Sequence, residues 1–151
     1  MLTLLKKMLV AKDTTKPEEE EIKDAHIALC VLLLEAAHVD GECSIDEMNH
    51  VVATLTDRCG ADQEEIDQLI DRGYQKRKDA IDLFSFTRYL NNNCTKDEKL
   101  GVMESVWRVI HIDGRLERHE DHFAHKLGNL LRLSHKELIE TKIKAREPLS
   151  E

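Results

Sequence analysis

The sequence predicts an all-α fold, a single compact bundle of about seven helices. Apolar residues recur at steps of three and four along almost the whole chain, which is the period of an amphipathic helix. The 151 residues contain only 2 prolines and 6 glycines, and alternating strand patterns are absent. With a hydrophobic fraction of 41%, the chain is long enough to bury one core without disulfides or a structural metal.

Seven apolar stripes predict the helices in order along the chain. The first and fifth stripes are expected to form central helices that face the core. The stripes run from Ile22 to Ala37, Met48 to Leu55, Ile66 to Tyr74, Leu83 to Leu90, Leu100 to Ile110, Phe123 to Leu131, and Leu138 to Ile139.

The helix starts follow a recurring pattern, a Ser, Thr or Asp followed three residues later by Glu. In this capping box the two residues satisfy each other's free backbone N–H groups. The pattern occurs at Thr15 with Glu18, Ser44 with Glu47, Asp62 with Glu65, Thr95 with Glu98, and Ser134 with Glu137. Residues 11–16 are predicted to be a linker, which divides the chain into an N-terminal segment, 1–16, and a helical domain, 17–151.

The first ten residues form a short amphipathic segment, with Leu2, Leu5 and Leu9 on one side and two lysines near the other. Two interpretations stay open. The segment is either a helix that packs on the domain or on a second copy through its leucines, or a transient attachment to an anionic membrane surface. It has no pattern of a secretory signal. The longest apolar run, Ala28 to Leu34, is too short to span a membrane.

Composition limits the compartment and the partners. With 30 acidic and 22 basic residues, the formal net charge is −8, which disfavours binding to nucleic-acid phosphates. The four cysteines form no Cys-x-x-Cys pair, as is typical of reduced thiols in a cytoplasm. We therefore expect a cytoplasmic protein, with the inner membrane face as an alternative site, that binds a protein partner or itself and binds no nucleic acid.

An internal repeat is the most informative feature of the sequence. A shift of 73 residues aligns His38-Val39-Asp40-Gly41 with His111-Ile112-Asp113-Gly114, and Glu47 with Glu120. Further along, the predicted caps at Asp62 and Ser134 align at a shift of 72. The sequence therefore predicts two similar halves, about 18–78 and 95–147, joined by residues 79–94. We expect them to pack face to face about a pseudo-twofold axis.

The repeated phrase, from His38 to Glu47 and again from His111 to Glu120, resembles the tellurite-resistance protein TerB family. The resemblance covers residues from about 20 to 147, and the amphipathic start resembles a bacterial branch of TerB-like proteins. It implies an all-helical domain of two similar halves in a bacterial cytoplasm. It also implies acidic residues that bind a divalent cation and a role in stress response or partner scaffolding, with no known enzymatic reaction.

Acidic residues follow each repeated Asp-Gly step. In the first loop four oxygen-bearing side chains lie within eight residues, a composition suited to Ca²⁺, Mg²⁺ or Mn²⁺. The second loop carries an arginine where the first has a glutamate, so it is the weaker candidate. The candidate ligands are Asp40, Glu42, Ser44 and Glu47 in the first loop and Asp113, Glu117 and Glu120 in the second. Both loops are equally compatible with ordinary turns and caps.

No motif of a known catalytic site is present: neither a Gly-x-Ser-x-Gly elbow, nor a phosphate loop, nor a His-Glu-x-x-His zinc site. We therefore predict a non-enzymatic domain that binds a divalent cation and a partner. The alternative is a metal-free structural adaptor that docks to a membrane-associated or multiprotein complex. A transition-metal site at His119, His122 and His125 stays open. Cys30 and Cys59 are expected to be buried, and Cys43 exposed.

Overall fold

The computed structural model describes residues 15–39, 41–80, 82–113 and 118–147, and their side chains except those of 15–23 and 113. These ranges contain seven α-helices and no strand, so the predicted all-α fold is confirmed. The helices are α1 (Thr15–Ala37), α2 (Ile45–Cys59), α3 (Gln63–Asp79), α4 (Phe84–Asn93), α5 (Lys96–Ile110), α6 (Arg118–Leu130) and α7 (His135–Ala145). A 3-10 turn, His111–Asp113, follows α5.

The first and fifth helices form the centre of the bundle, as predicted. Helix α1 packs against α2, α3, α4 and α5, and α5 packs in addition against α2, α6 and α7. All seven side chains from Ala28 to Leu34 are at most 1% exposed. The longest apolar run is therefore a helix segment surrounded on every side by other helices, as expected for a helix without a polar face.

Local capping explains where four of the helices begin. The reciprocal capping boxes predicted from the sequence are formed at Ser44, Asp62, Thr95 and Ser134. The fifth predicted box, Thr15 with Glu18, involves side chains outside the described set. Helix α1 begins at Thr15, so it includes the last two residues that were assigned to the linker.

Helix boundaries follow the sequence repeat. Helices α1 and α5 end 73 residues apart, α2 and α6 begin 73 apart, and α3 and α7 begin 72 apart. The packing is also repeated, because α3 lies on α1 as α7 lies on α5. Residues 79–94, which join the halves, contain α4. The pseudo-twofold axis stays a prediction.

Cys30 and Cys59 are buried, as expected. Cys43 is half-buried and not exposed, because its side chain packs against the edge of the core. All four cysteines are free thiols. Within the described ranges, no helix has both the length and the apolar character needed to cross a membrane. Leu2, Leu5 and Leu9 lie outside the described residues.

Candidate functional site

The first acidic loop, residues 38–44, follows α1 through a tight turn. Gly41 has φ +90°, a left-handed conformation that favours glycine, and its N–H donates to the carbonyl of His38 at 2.9 Å. The His38 Nε2 atom and the Tyr74 hydroxyl share a hydrogen bond of 2.9 Å. This contact ties the beginning of the loop to α3, and the sequence did not predict it.

Two of the predicted ligands in this loop also form the cap of α2. The Ser44 N–H donates to Glu47 Oε1 at 3.1 Å, and the Glu47 N–H donates to Ser44 Oγ at 3.0 Å. Glu47 is buried, at 7% exposure, whereas Glu42 is exposed. A carboxylate has two oxygens and about four acceptor positions, so the cap leaves acceptor capacity on Glu47. Asp40 lies outside the described residues.

The second acidic loop begins with the 3-10 turn at the end of α5. There the His111 ring stacks on the Trp107 indole, with the ring centroids 5.5 Å apart and 25° between their planes. Glu120 is only 3% exposed, so both halves bury the glutamate at the equivalent position of the repeat. The side chains of Asp113 and Glu117 lie outside the described set.

Helix α2 begins at the first loop and contacts the described beginning of the second, the 3-10 turn. Near its C-terminal end, Arg58 donates from Nε to Ser105 Oγ at 2.8 Å and from a terminal nitrogen to the Gly101 carbonyl at 2.9 Å, in the first two-thirds of α5. His50 lies earlier on α2. Its pKa is lowered first by burial and then by the positive charge of Arg108, which lies further along α5. The helices are therefore antiparallel, and the contact between α2 and the 3-10 turn falls toward the N-terminal end of α2.

No three His, Cys, Asp or Glu side chains lie close enough to hold a metal ion among the residues described here. The side chains of Asp40, Asp113 and Glu117 lie outside these residues, so the predicted cation site stays a prediction. On α6, His125 Nε2 lies 3.6 Å from Asp121 Oδ1, and its ring centroid is 6.0 Å from that of His135. The ring contact with His135 joins α6 to α7, which the spacing along α6 could not indicate.

Two cations that join helices were also missed by the sequence analysis. Lys99 is only 7% exposed. Its ammonium group donates to Asn91 Oδ1 at 3.1 Å and to the Leu131 carbonyl at 2.8 Å. Arg108 donates to the carbonyls of Lys144, Ala145 and Glu147 at the end of α7. These partners are 32 to 39 residues away in sequence except Asn91, so no local pattern identifies them.

Comparison with known families gives one result. The family model described as Tellurite resistance protein TerB matches residues 26–143, a range that contains both acidic loops. Comparisons with curated proteins and with solved structures give no match.

Proposed function

The chain belongs to the tellurite resistance protein TerB family, and on that premise we propose that it is a non-enzymatic domain that binds a divalent cation at its acidic loops. The bound cation would set the shape and charge of this end of the molecule for a partner protein in a tellurite or other stress response. The cation would be a hard ion, Ca²⁺, Mg²⁺ or Mn²⁺, because the candidate ligands are oxygen atoms.

The observation that carries the proposal is the convergence of the two loops. Since α2 begins at the first loop and contacts the 3-10 turn of the second, the described beginnings of both loops lie at one end of the bundle, where the candidate carboxylates would meet. Like charges brought together in this way repel one another, and a divalent cation relieves that repulsion while it supplies ligand bonds.

Within this proposal the first loop is the primary site. Asp40, Glu42 and Glu47 would supply carboxylate oxygens, and Ser44 would orient Glu47 through the cap. Asp113, Glu117 and Glu120 would form the weaker twin, because the second loop contains Arg115 where the first has Glu42.

Three of the four thiols are unsuited to nucleophilic catalysis. Burial raises the pKa of Cys30, Cys59 and Cys94 to about 12. The thiolate is the nucleophilic form of cysteine, so these three groups are poor nucleophiles at neutral pH.

Thermal unfolding with and without millimolar Ca²⁺, Mg²⁺ or Mn²⁺ tests the proposal. A cation at one hundred times its Kd stabilises the folded state by about 2.7 kcal/mol, which raises Tm by about 5–10 °C at this chain length. Asp40→Asn is expected to abolish the increase. Glu47→Gln is expected to reduce it while the capping box is retained, because glutamine can accept the same hydrogen bond.

The matched control is Asp71→Asn. Asp71 is an exposed residue of α3, and its substitution changes the net charge by the same amount as Asp40→Asn. An equal loss of the Tm increase in both variants would mean diffuse attraction to an acidic surface and would contradict the site. An unchanged Tm with all three cations would remove the metal proposal in favour of a metal-free adaptor that docks to a membrane-associated or multiprotein complex.

A further inference from the structure

A partly apolar groove runs between α1, the end of α3, α4 and α6. It consists of two adjoining cavities of about 240 and 340 Å³, which share Ala80 and Phe86 in their walls. The floor is formed by α1, where Ile27 and Ala28 contribute to one cavity and Val31 to the other. We call this feature the α4 groove.

The α4 groove has the character of a site for an amphipathic helix. The cavity beside Phe86 and Tyr89 of α4 is mainly apolar, whereas the other cavity mixes apolar side chains with the Glu35–Arg77 ion pair. An amphipathic helix binds such a groove by inserting apolar residues spaced three and four apart.

We propose that residues 1–10 of the same chain bind in the α4 groove as a helix, with Leu2, Leu5 and Leu9 inserted into it. These leucines share one side of a helix, and Lys7 lies on the opposite side. The proposal is independent of cation binding, because the groove is lined by none of the candidate metal ligands.

The length of chain before α1 is sufficient for this arrangement. The groove residues of α1, from Asp24 to Val31, lie 9 to 16 residues after Thr15, or about 14–24 Å along the helix. Residues 11–14 can span up to about 13 Å when extended, and a ten-residue helix adds about 15 Å. A segment that turns back along α1 therefore reaches the whole groove.

Charge adds little to the choice of occupant. The exposed Asp24, Asp79 and Asp82 line the α4 groove together with the exposed Lys76 and Lys126, and Glu35 pairs with Arg77, so the lining has a net charge of −1. Lys6 and Lys7 of the segment carry the opposite charge. Opposite charges at the rim of an apolar contact fix its register and orientation more than they add affinity.

Hydrogen–deuterium exchange of the full chain tests the proposal. Leu5→Asp places a charge on the inserted side, and exchange of the α4 amides is expected to become about threefold faster or more, while α5 amides are unaffected. Thr3→Asp is the matched control, since it adds the same charge well away from the leucine side and is expected to leave α4 unchanged.

Other occupants predict other outcomes. If both variants leave α4 exchange unchanged, the segment does not bind the groove and the proposal is wrong. Protection of α4 that rises with protein concentration would mean that the segment binds a second copy. Protection that appears only with vesicles of phosphatidylglycerol and phosphatidylcholine would mean membrane attachment. Either result would overturn binding within one chain.

Discussion

One position of the repeat ties the central helix to the third helix in both halves, but with side chains of opposite charge. In the first half Glu35 of α1 accepts a hydrogen bond of 2.6 Å from Arg77 Nε of α3. The position 73 residues later is Arg108 of α5, which donates to backbone carbonyls at the end of α7. Each central helix is thus tied to the third helix of its own half, once through a carboxylate and once through a guanidinium.

Close packing at Gly73 gives a prediction at the residue scale. A Cβ atom at this position of α3 would lie 2.6 Å from Cys30 Sγ and 3.2 Å from Leu34 Cδ1. Alanine gains about 1 kcal/mol of helix propensity, but overpacking costs about 1–3 kcal/mol. Because Cys30 is short and fully buried, the overpacking term is expected to dominate. Gly73→Ala should lower the free energy of unfolding in urea by about 1–2 kcal/mol.

Gly128→Ala is the comparison for this prediction. There the nearest atom is Leu138 Cδ1 at 2.9 Å, the end of a longer side chain that can move aside, so its loss should be smaller. In a Cys30→Ala background, Gly73→Ala should cost less than in the natural chain. An unchanged or increased stability of Gly73→Ala would show that the contact between α1 and α3 relaxes without cost.

At the scale of one element, the start of α7 gives a pH prediction. The backbone N–H of Ser134 and then the Lys96 ammonium lower the pKa of Glu137 from 4.5 to about 2. A carboxyl group with a depressed folded-state pKa stabilises the protein above its unfolded pKa, and this contribution is lost as pH falls. Stability should therefore decline between about pH 4.5 and 2, and Glu137→Gln, which keeps the cap acceptor, should reduce the decline.

Urea unfolding at pH 5.5 and at pH 3 measures this difference, with Glu140→Gln as the control. Glu140 lies on the same helix with its side chain 63% exposed, and its substitution leaves the Ser134 cap and the Lys96 contact in place. If Glu140→Gln and Glu137→Gln reduce the pH dependence equally, the capping box is not its source.

The helices also show which features a sequence can predict. Apolar stripes and capping boxes involve residues three or four apart, so their geometry is fixed by the helix itself. The contacts that set the positions of the helices join distant residues, as in His38 with Tyr74 and Arg58 with Ser105. Many arrangements of the helices could bring such pairs together. The stripes therefore predicted the helices, whereas the partners of the buried polar residues could be found only from the structure.

The candidate site shows the same division. The Asp-Gly loops and their repetition were evident from spacing alone, and so was the capping role of Glu47. The burial of Glu47 was not, because Glu65 has the same capping role and is exposed. The antiparallel arrangement of α2 and α5 was not predictable, because the hydrogen bonds of Arg58 that show it are to Gly101 and Ser105, more than 40 residues away in sequence. The convergence of the two loops is therefore a property of the bundle and not of either loop.

At the scale of the whole molecule, the two halves share one core. Helix α1 of the first half packs directly on α5 of the second, and Arg58 joins the halves a second time. Residues 28–34 of α1 and 106–107 of α5 are almost completely buried. A half on its own would expose that surface to water, at a cost of about 25 cal/mol for each Å² of apolar area.

Neither half is therefore expected to fold alone. Residues 15–80 and 82–147, expressed separately, should lack a cooperative thermal transition in circular dichroism, whereas their mixture should recover helical signal and one transition. The control is the full chain with a protease site inserted between Ala80 and Asp82, cut after folding. Its two pieces should stay associated, because the contacts between α1 and α5 and between α2 and α5 do not depend on that peptide bond.

A cooperative transition from either half alone would mean that each repeat has a sufficient core of its own. The contact between α1 and α5 would then be a docking interface between two folded units, and the loops would converge through docking and not through folding.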